Sequence, residues 1–115
     1  MATRIRTHLK HTAMQLFDLV ADVERYPEFL PWVVAARICH REGSRIWVDM
    51  TIGTRFLRKR FVSVALLEQP HRISINSHDP LFERFQQIWK FETAAEGGTN
   101  VEYQLDVRFQ SRVLQ

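Results

Sequence analysis

The chain has 115 residues, a formal net charge of +3, 45% hydrophobic and 25% charged residues, and one cysteine, Cys39. These values fit a single globular domain, 1–115, and they exclude an intrachain disulfide and a cysteine metal cluster. No apolar run reaches membrane-spanning length and MATRIRTHLK contains no apolar signal core, so a cytoplasmic protein is expected.

Residues 4–10 (RIRTHLK) alternate Ile5, Thr7 and Leu9 with Arg4, Arg6, His8 and Lys10, which predicts a half-buried strand. Thr12 with Gln15 three residues later is a capping box. Ala13, Leu16, Phe17, Val20 and Ala21 then give a helix one apolar face, ending near Val23. The next stretch, ADVERYPEFLPW (21–32), cannot continue that helix past Pro27 and Pro31, yet it crowds Tyr26, Phe29, Leu30 and Trp32 into a few residues. Strands follow. VVAARICHRE (33–42) and SRIWVDMTI (44–52) flank Gly43, and RFLRKRFVSVALLE (55–68) follows a Gly53-Thr54 turn. RISINS (72–77) is short, and His78-Asp79-Pro80 turns toward RFQQIWKFETA (84–94). EGGTN (96–100) is a hairpin turn before VEYQLDVRF (101–109). Hairpin-linked strands pair antiparallel, and segregated helices make the class α+β.

One sheet face is apolar on every strand. Its concave stripe is expected to carry Ile46, Val48, Met50, Phe61, Ile75, Trp89, Phe91, Tyr103, Leu105 and Val107, with sparse hydroxyls at Ser63, Ser77, Thr93 and Tyr103. That mixture suits an apolar ligand with one or two polar atoms. One helix is too short to cover seven strands, and the chain stops at FQSRVLQ, where a second covering element is expected to begin. The face is therefore expected to be bare unless another chain covers it.

The remaining chemistry is sparse. His8, His11, His40, His71 and His78 have no metal-ligand spacing, no acid/base constellation converges, and no phosphate loop is present, so neither a metal nor catalytic residues are predicted. Cys39 reads as a half-buried structural thiol. Arg55, Arg58, Lys59 and Arg60 form the one charge cluster, read by default as a solvated strand face and alternatively as an RNA contact.

Four segments carry a resemblance: FDLVADVERYPEFLPWVVAARI (17–38), FVSVA (61–65), FERFQQIWKF (82–91) and GTNVEYQLDVRF (98–109). They closely resemble the coenzyme-Q-binding family, which includes the bacterial ribosome-association toxin and polyketide cyclase/dehydrase-like proteins of the START-like superfamily. The resemblance implies a helix-grip fold: a curved seven-stranded antiparallel sheet with N-terminal helices, gripping a long C-terminal helix that is missing or truncated here. It implies that residues 21–32 form a short second helix plugging or lining a cavity mouth. Asp79-Pro80-Leu81-Phe82 departs from the Asp-Gly-Pro-Phe common in that family. No shared catalytic motif carries over.

The expected function is non-enzymatic binding of coenzyme Q, another isoprenoid quinone or a similar lipid, in support of respiratory electron transport. The ligand is a bound ubiquinone or lipid, and no cofactor is expected. The expected cavity residues are Phe29, Leu30, Trp32, Val48, Met50, Phe61, Ser63, Ile75, Trp89, Phe91, Tyr103, Leu105 and Val107. One alternative is a toxin-like protein contacting the large ribosomal subunit through Arg55, Arg58, Lys59 and Arg60 and blocking subunit association. Another is a polyketide cyclase/dehydratase-like enzyme. Expected partners besides the hydrophobic small molecule are the ribosome, transiently a membrane surface, and a second copy joined through the uncovered sheet face.

Overall fold

A computed structural model describes residues 2–110. The chain runs β1 (Ala2–Leu9), α1 (Ala13–Ala21), a 3-10 helix (Val23–Glu28), β2 (Val33–Glu42), β3 (Arg45–Gly53), β4 (Arg58–Glu68), β5 (Arg72–Asn76), β6 (Phe82–Thr93) and β7 (Thr99–Phe109). The strands form one antiparallel sheet in the order β1-β7-β6-β5-β4-β3-β2. Both helices lie on the β1-to-β2 crossover, so the chain leaves one edge of the sheet, crosses its concave face and re-enters at the other edge. The segment after Phe109, read above as the approach to a C-terminal helix, lies from residue 111 onward outside the described residues.

The capping box forms as the sequence predicts: Gln15 N donates to Thr12 Oγ1 at 3.1 Å and Thr12 N to Gln15 Oε1 at 2.9 Å. These bonds satisfy amides that a helix start otherwise leaves orphaned. Leu16, Phe17 and Val20 then point into the sheet, and Phe17 meets Phe91 edge-on with centroids 6.3 Å apart. The crowded stretch after α1 winds into a 3-10 helix with Pro27 inside it. Tyr26 is its anchor. It is fully buried and its hydroxyl donates to Val20 O at 2.7 Å, pairing a carbonyl in the last turn of α1. Burial pushes its phenol pKa up, so it stays protonated and donating. Glu24 fixes the 3-10 helix to the sheet by accepting from Ile38 N at 3.0 Å.

Four expectations are corrected by this packing. The concave face is not bare: Ile46, Val48, Met50, Phe61, Ile75, Phe91 and Leu105 are all buried within the single chain, and only Trp89, Tyr103 and Val107 of the expected stripe stay partly open. Curvature lets a short helix, the 3-10 turn and the far strands close over it together, so the area argument for a two-fold pairing shrinks to a narrow strip. Next, β1 is not half-buried. Ile5 is 54% exposed, because β1 pairs on one side only and no described element packs over it. Finally, β4 begins at Arg58, not residue 55. Gly53 takes φ +132°, where a Cβ would sit 2.0 Å from Leu57 O, and the chain turns there, with Thr54 N donating to Leu57 O at 2.9 Å. Cys39 likewise departs from the half-buried expectation: it is exposed where the β2–β3 register shifts, its thiol directed at Trp47 O.

On the convex face, Glu102 ties the edge strand β1 to the sheet. Its carboxylate accepts from Arg6 Nε at 2.8 Å and Gln104 Nε2 at 2.7 Å, with Arg4 and Lys90 within 4 Å. The Arg6 bond is the main cause that holds its pKa down at about 2, against 4.5 ordinarily. A folded value below the unfolded one means the stabilisation is complete above pH 4.5 and is lost as pH falls toward 2. Hydrogen exchange, corrected for intrinsic rates, is expected to show β1 amides losing protection across that window. In Glu102→Gln the protection should be weaker at neutral pH and should no longer titrate there. Identical profiles for the two proteins would show that the carboxylate does not hold the edge.

Candidate functional site

The sheet curls until the end of β3 faces β7 across its concave side. Between them lies an apolar cavity of about 200 Å³. Ile52, Phe85 and Leu105 are its buried floor; Trp32, Gly53, Val107 and Phe109 form its half-exposed rim. The floor is stiffened by aromatics. Phe61, Phe82 and Phe85 lie with centroids 4.7–5.0 Å apart, and Phe82 meets Phe109 at 5.2 Å. The rim is set by backbone: Gly53 N donates to Trp32 O at 3.0 Å, which docks the loop before β2 against the end of β3.

Next to this cavity stands a polar spot. Gln87 faces inward on β6, two residues from Phe85 and directly opposite Leu105, both floor residues. It is fully buried. Tyr103 Oη donates to Gln87 Oε1 at 3.0 Å, and burial raises the Tyr103 pKa to about 12, so it remains a phenol at neutral pH. Gln87 Nε2 and the indole Nε1 of Trp89, one inward position further along β6, are buried donors with no hydrogen-bond partner among the described residues. Trp89 lies against Tyr103 with ring centroids 4.4 Å apart. Unpaired buried donors are costly; Gln87 adjoins the floor residues Phe85 and Leu105, although neither donor residue lines the cavity itself.

Of the residues expected to line a cavity, Trp32, Leu105 and Val107 do; Trp89 and Tyr103 do not, and belong to the polar spot further along β6 and β7. Val48, Met50, Phe61, Ser63, Ile75 and Phe91 are instead packed core. Ser63 spends its hydroxyl on Met50 Sδ at 3.3 Å, so it is unavailable to a ligand. Ser77 likewise donates to Val62 O, and Thr93 is exposed. Phe29 is exposed and packs on Tyr26 outside the cavity, and Leu30 is partly buried beside it without reaching the lining. Sequence reasoning missed Ile52, Gly53, Phe85 and Phe109 of the cavity lining, and Gln87 beside its floor. The signal for Gln87 was present: at alternate positions from Phe85 to Phe91 it is the one side chain that is not aromatic.

The basic residues do not share one face. Arg55 sits in the turn, its guanidinium 5.4 Å from the Phe56 ring centroid. Arg58 is exposed at the start of β4, Lys59 is half-buried on the opposite face, and Arg60 is held by Asp49. That bond is the main cause lowering the Asp49 pKa and raising that of Arg60. Among the described residues no group of three or more His, Cys, Asp and Glu side chains is placed to hold a metal ion, and no helix is long and apolar enough to cross a membrane.

A curved antiparallel sheet that folds over N-terminal helices and leaves an apolar cavity is the START-like helix-grip architecture. A START superfamily protein from Mycobacterium smegmatis shares it with a TM-score of 0.77 at 16% identity, over 95% of this chain and 77% of that one. The sequence model of the family described as polyketide cyclase / dehydrase and lipid transport matches residues 9–115, and the chain belongs to that family. Among its relatives is a Pseudomonas aeruginosa protein named ribosome association toxin RatA, 32% identical over 111 residues, which cover 95% of this chain and 76% of the relative. Another is the mitochondrial coenzyme Q-binding protein coq10 of Schizosaccharomyces pombe, 27% identical over 104 residues, covering 85% of this chain and 63% of that protein.

Proposed function

We propose that this protein binds, without converting it, an apolar ligand that carries an acceptor oxygen: an isoprenoid quinone or a similar lipid, in support of respiratory electron transport. The observation that carries this reading is the pair of unpartnered donors, Gln87 Nε2 and Trp89 Nε1, beside a cavity lined by apolar side chains. Two N–H groups are what a quinone carbonyl would accept from. A cavity of about 200 Å³ is below the usual range for a whole ligand, so it would take a ring or a short stretch of tail, with the remainder leaving past the rim of Trp32 and Phe109. The described residues around it include no Asp, Glu, His or Lys, which favours binding over acid/base turnover. The likeness to a coenzyme Q-binding protein points the same way.

The test is Gln87→Leu, read in ligand binding and in stability together. A short-tailed ubiquinone should bind about tenfold more weakly, while stability falls by only about 1–3 kcal/mol, because Tyr103 Oη loses its acceptor but the lost donor has no partner in the fold. A large loss of stability with unchanged affinity would make Gln87 a structural residue only.

A second reading is contact with the large ribosomal subunit, favoured by the relative named ribosome association toxin and by Arg58 and Arg60 on the outer face. Co-sedimentation with ribosomal subunits, abolished by charge reversal at both arginines, would support it. Sedimentation unchanged by the reversal would remove the cluster from that role.

A further inference from the structure

The β3–β4 hairpin presents a combination that neither the cavity nor the sheet explains. At its tip Phe56 is 90% exposed and Leu57 57% exposed, on a chain that buries most of its other large apolar side chains. The tip has a defined shape: Thr54 Oγ1 accepts from Phe56 N at 3.2 Å and from Leu57 N at 3.3 Å, inside the turn closed by Thr54 N and Leu57 O. Around it stand Arg55, Arg58, Lys59 and Arg60, and no acidic residue occurs between Asp49 and Glu68. Asp49 pairs with Arg60, and among the described residues Arg55, Arg58 and Lys59 have no ion-pair partner. Gly53, the residue from which the tip springs, is itself part of the cavity rim.

We propose that this tip docks the protein on an anionic lipid bilayer, with Phe56 and Leu57 entering the boundary between headgroups and acyl chains and the exposed cations Arg55 and Arg58 lying on the lipid phosphates. Adjacent aromatic and aliphatic side chains at the apex of a convex turn match an interfacial anchor. Cations at their base match the negative surface potential. The Arg55 guanidinium over the Phe56 ring can stay at headgroup level while the ring goes deeper. An RNA surface would use the cations but gives a leucine at the apex nothing to stack on. Docking in this orientation brings the cavity rim to the membrane surface, although the surface stands independently of what the cavity holds.

The test is flotation of the full chain with vesicles of phosphatidylcholine alone or with phosphatidylglycerol added. The wild type is expected to float with the anionic vesicles and to be released by salt. Phe56→Ser with Leu57→Ser should weaken that binding about tenfold. Arg55→Glu with Arg58→Glu should weaken it roughly 25-fold from the loss of two cations alone, at about 1 kcal/mol each. Arg45→Glu, the same charge change at the far end of β3, should have little effect. Thermal melting checks that the variants are folded. Failure of the wild type to bind anionic vesicles would overturn the proposal, and so would unchanged binding of the Phe56/Leu57 variant. Loss of ribosomal-subunit binding in that variant, with flotation intact, would assign the tip to RNA instead.

Discussion

Replacing Val48 with aspartate is expected to unfold the protein or to lower its stability by roughly 3 kcal/mol or more. Val48 is 1% exposed on β3, between Ile46 and Met50 and opposite Ser63. The one hydroxyl in reach already donates to Met50 Sδ, and the neighbouring inward positions carry no cation. A carboxylate there would be buried without a partner. It would hold its proton in the folded state, so its folded pKa would rise above the ordinary value of about 3.9. The folded state then binds more protons than the unfolded one, and the damage grows as pH rises through about 4. Chemical denaturation at acid and neutral pH checks both the size and the sign. A wild-type midpoint at neutral pH would mean that Val48 faces solvent.

Truncating Tyr26 to alanine is expected to cost about 3–5 kcal/mol, in the range for removing a buried aromatic ring. Tyr26→Phe should cost roughly 1–3 kcal/mol, because the ring stays and Val20 O is left buried without its donor. The two variants separate what the ring fills from what the hydroxyl pairs. Hydrogen exchange should place the loss at the end of α1 and the 3-10 helix. A Tyr26→Phe midpoint equal to the wild type would show that water replaces the hydroxyl at Val20.

The strands and the helix start were legible because each has a local cause. Thr12 and Gln15 cap one another within one turn, and Val101 through Phe109 alternates without interruption along β7. The family resemblance supplied the helix-grip architecture, which the fold bears out. What failed depended on distant partners. Alternation puts Val48 and Leu105 on the same face, but the curl of the sheet decides that one is sealed core and the other cavity wall. Ile5 has the pattern of a buried strand and lies exposed, because burial needs something across from it. Arg55 and Phe56 read as strand, and a backbone bond from Thr54 to Leu57 makes them a turn. Gln87 was visible in the sequence as a polar residue in an apolar phase. Its meaning depends on Tyr103 and on the cavity beside it, which only the folded register brings together.

The three tryptophans allow one direct test of ligand binding in the concave site. Trp32 is on the cavity rim, Trp89 carries one of the unpartnered donors, and Trp47 lies on the convex face of β3. Titration with a short-tailed ubiquinone, followed by the indole N–H signals in a nitrogen-15 correlation spectrum, is expected to shift Trp89 most, in the direction of a new hydrogen bond. Trp32 should move with it at the same ligand concentrations, and Trp47 should stay where it is. If no indole moves at saturating quinone, or if Trp47 moves while Trp89 does not, the concave site is not where this protein holds its ligand.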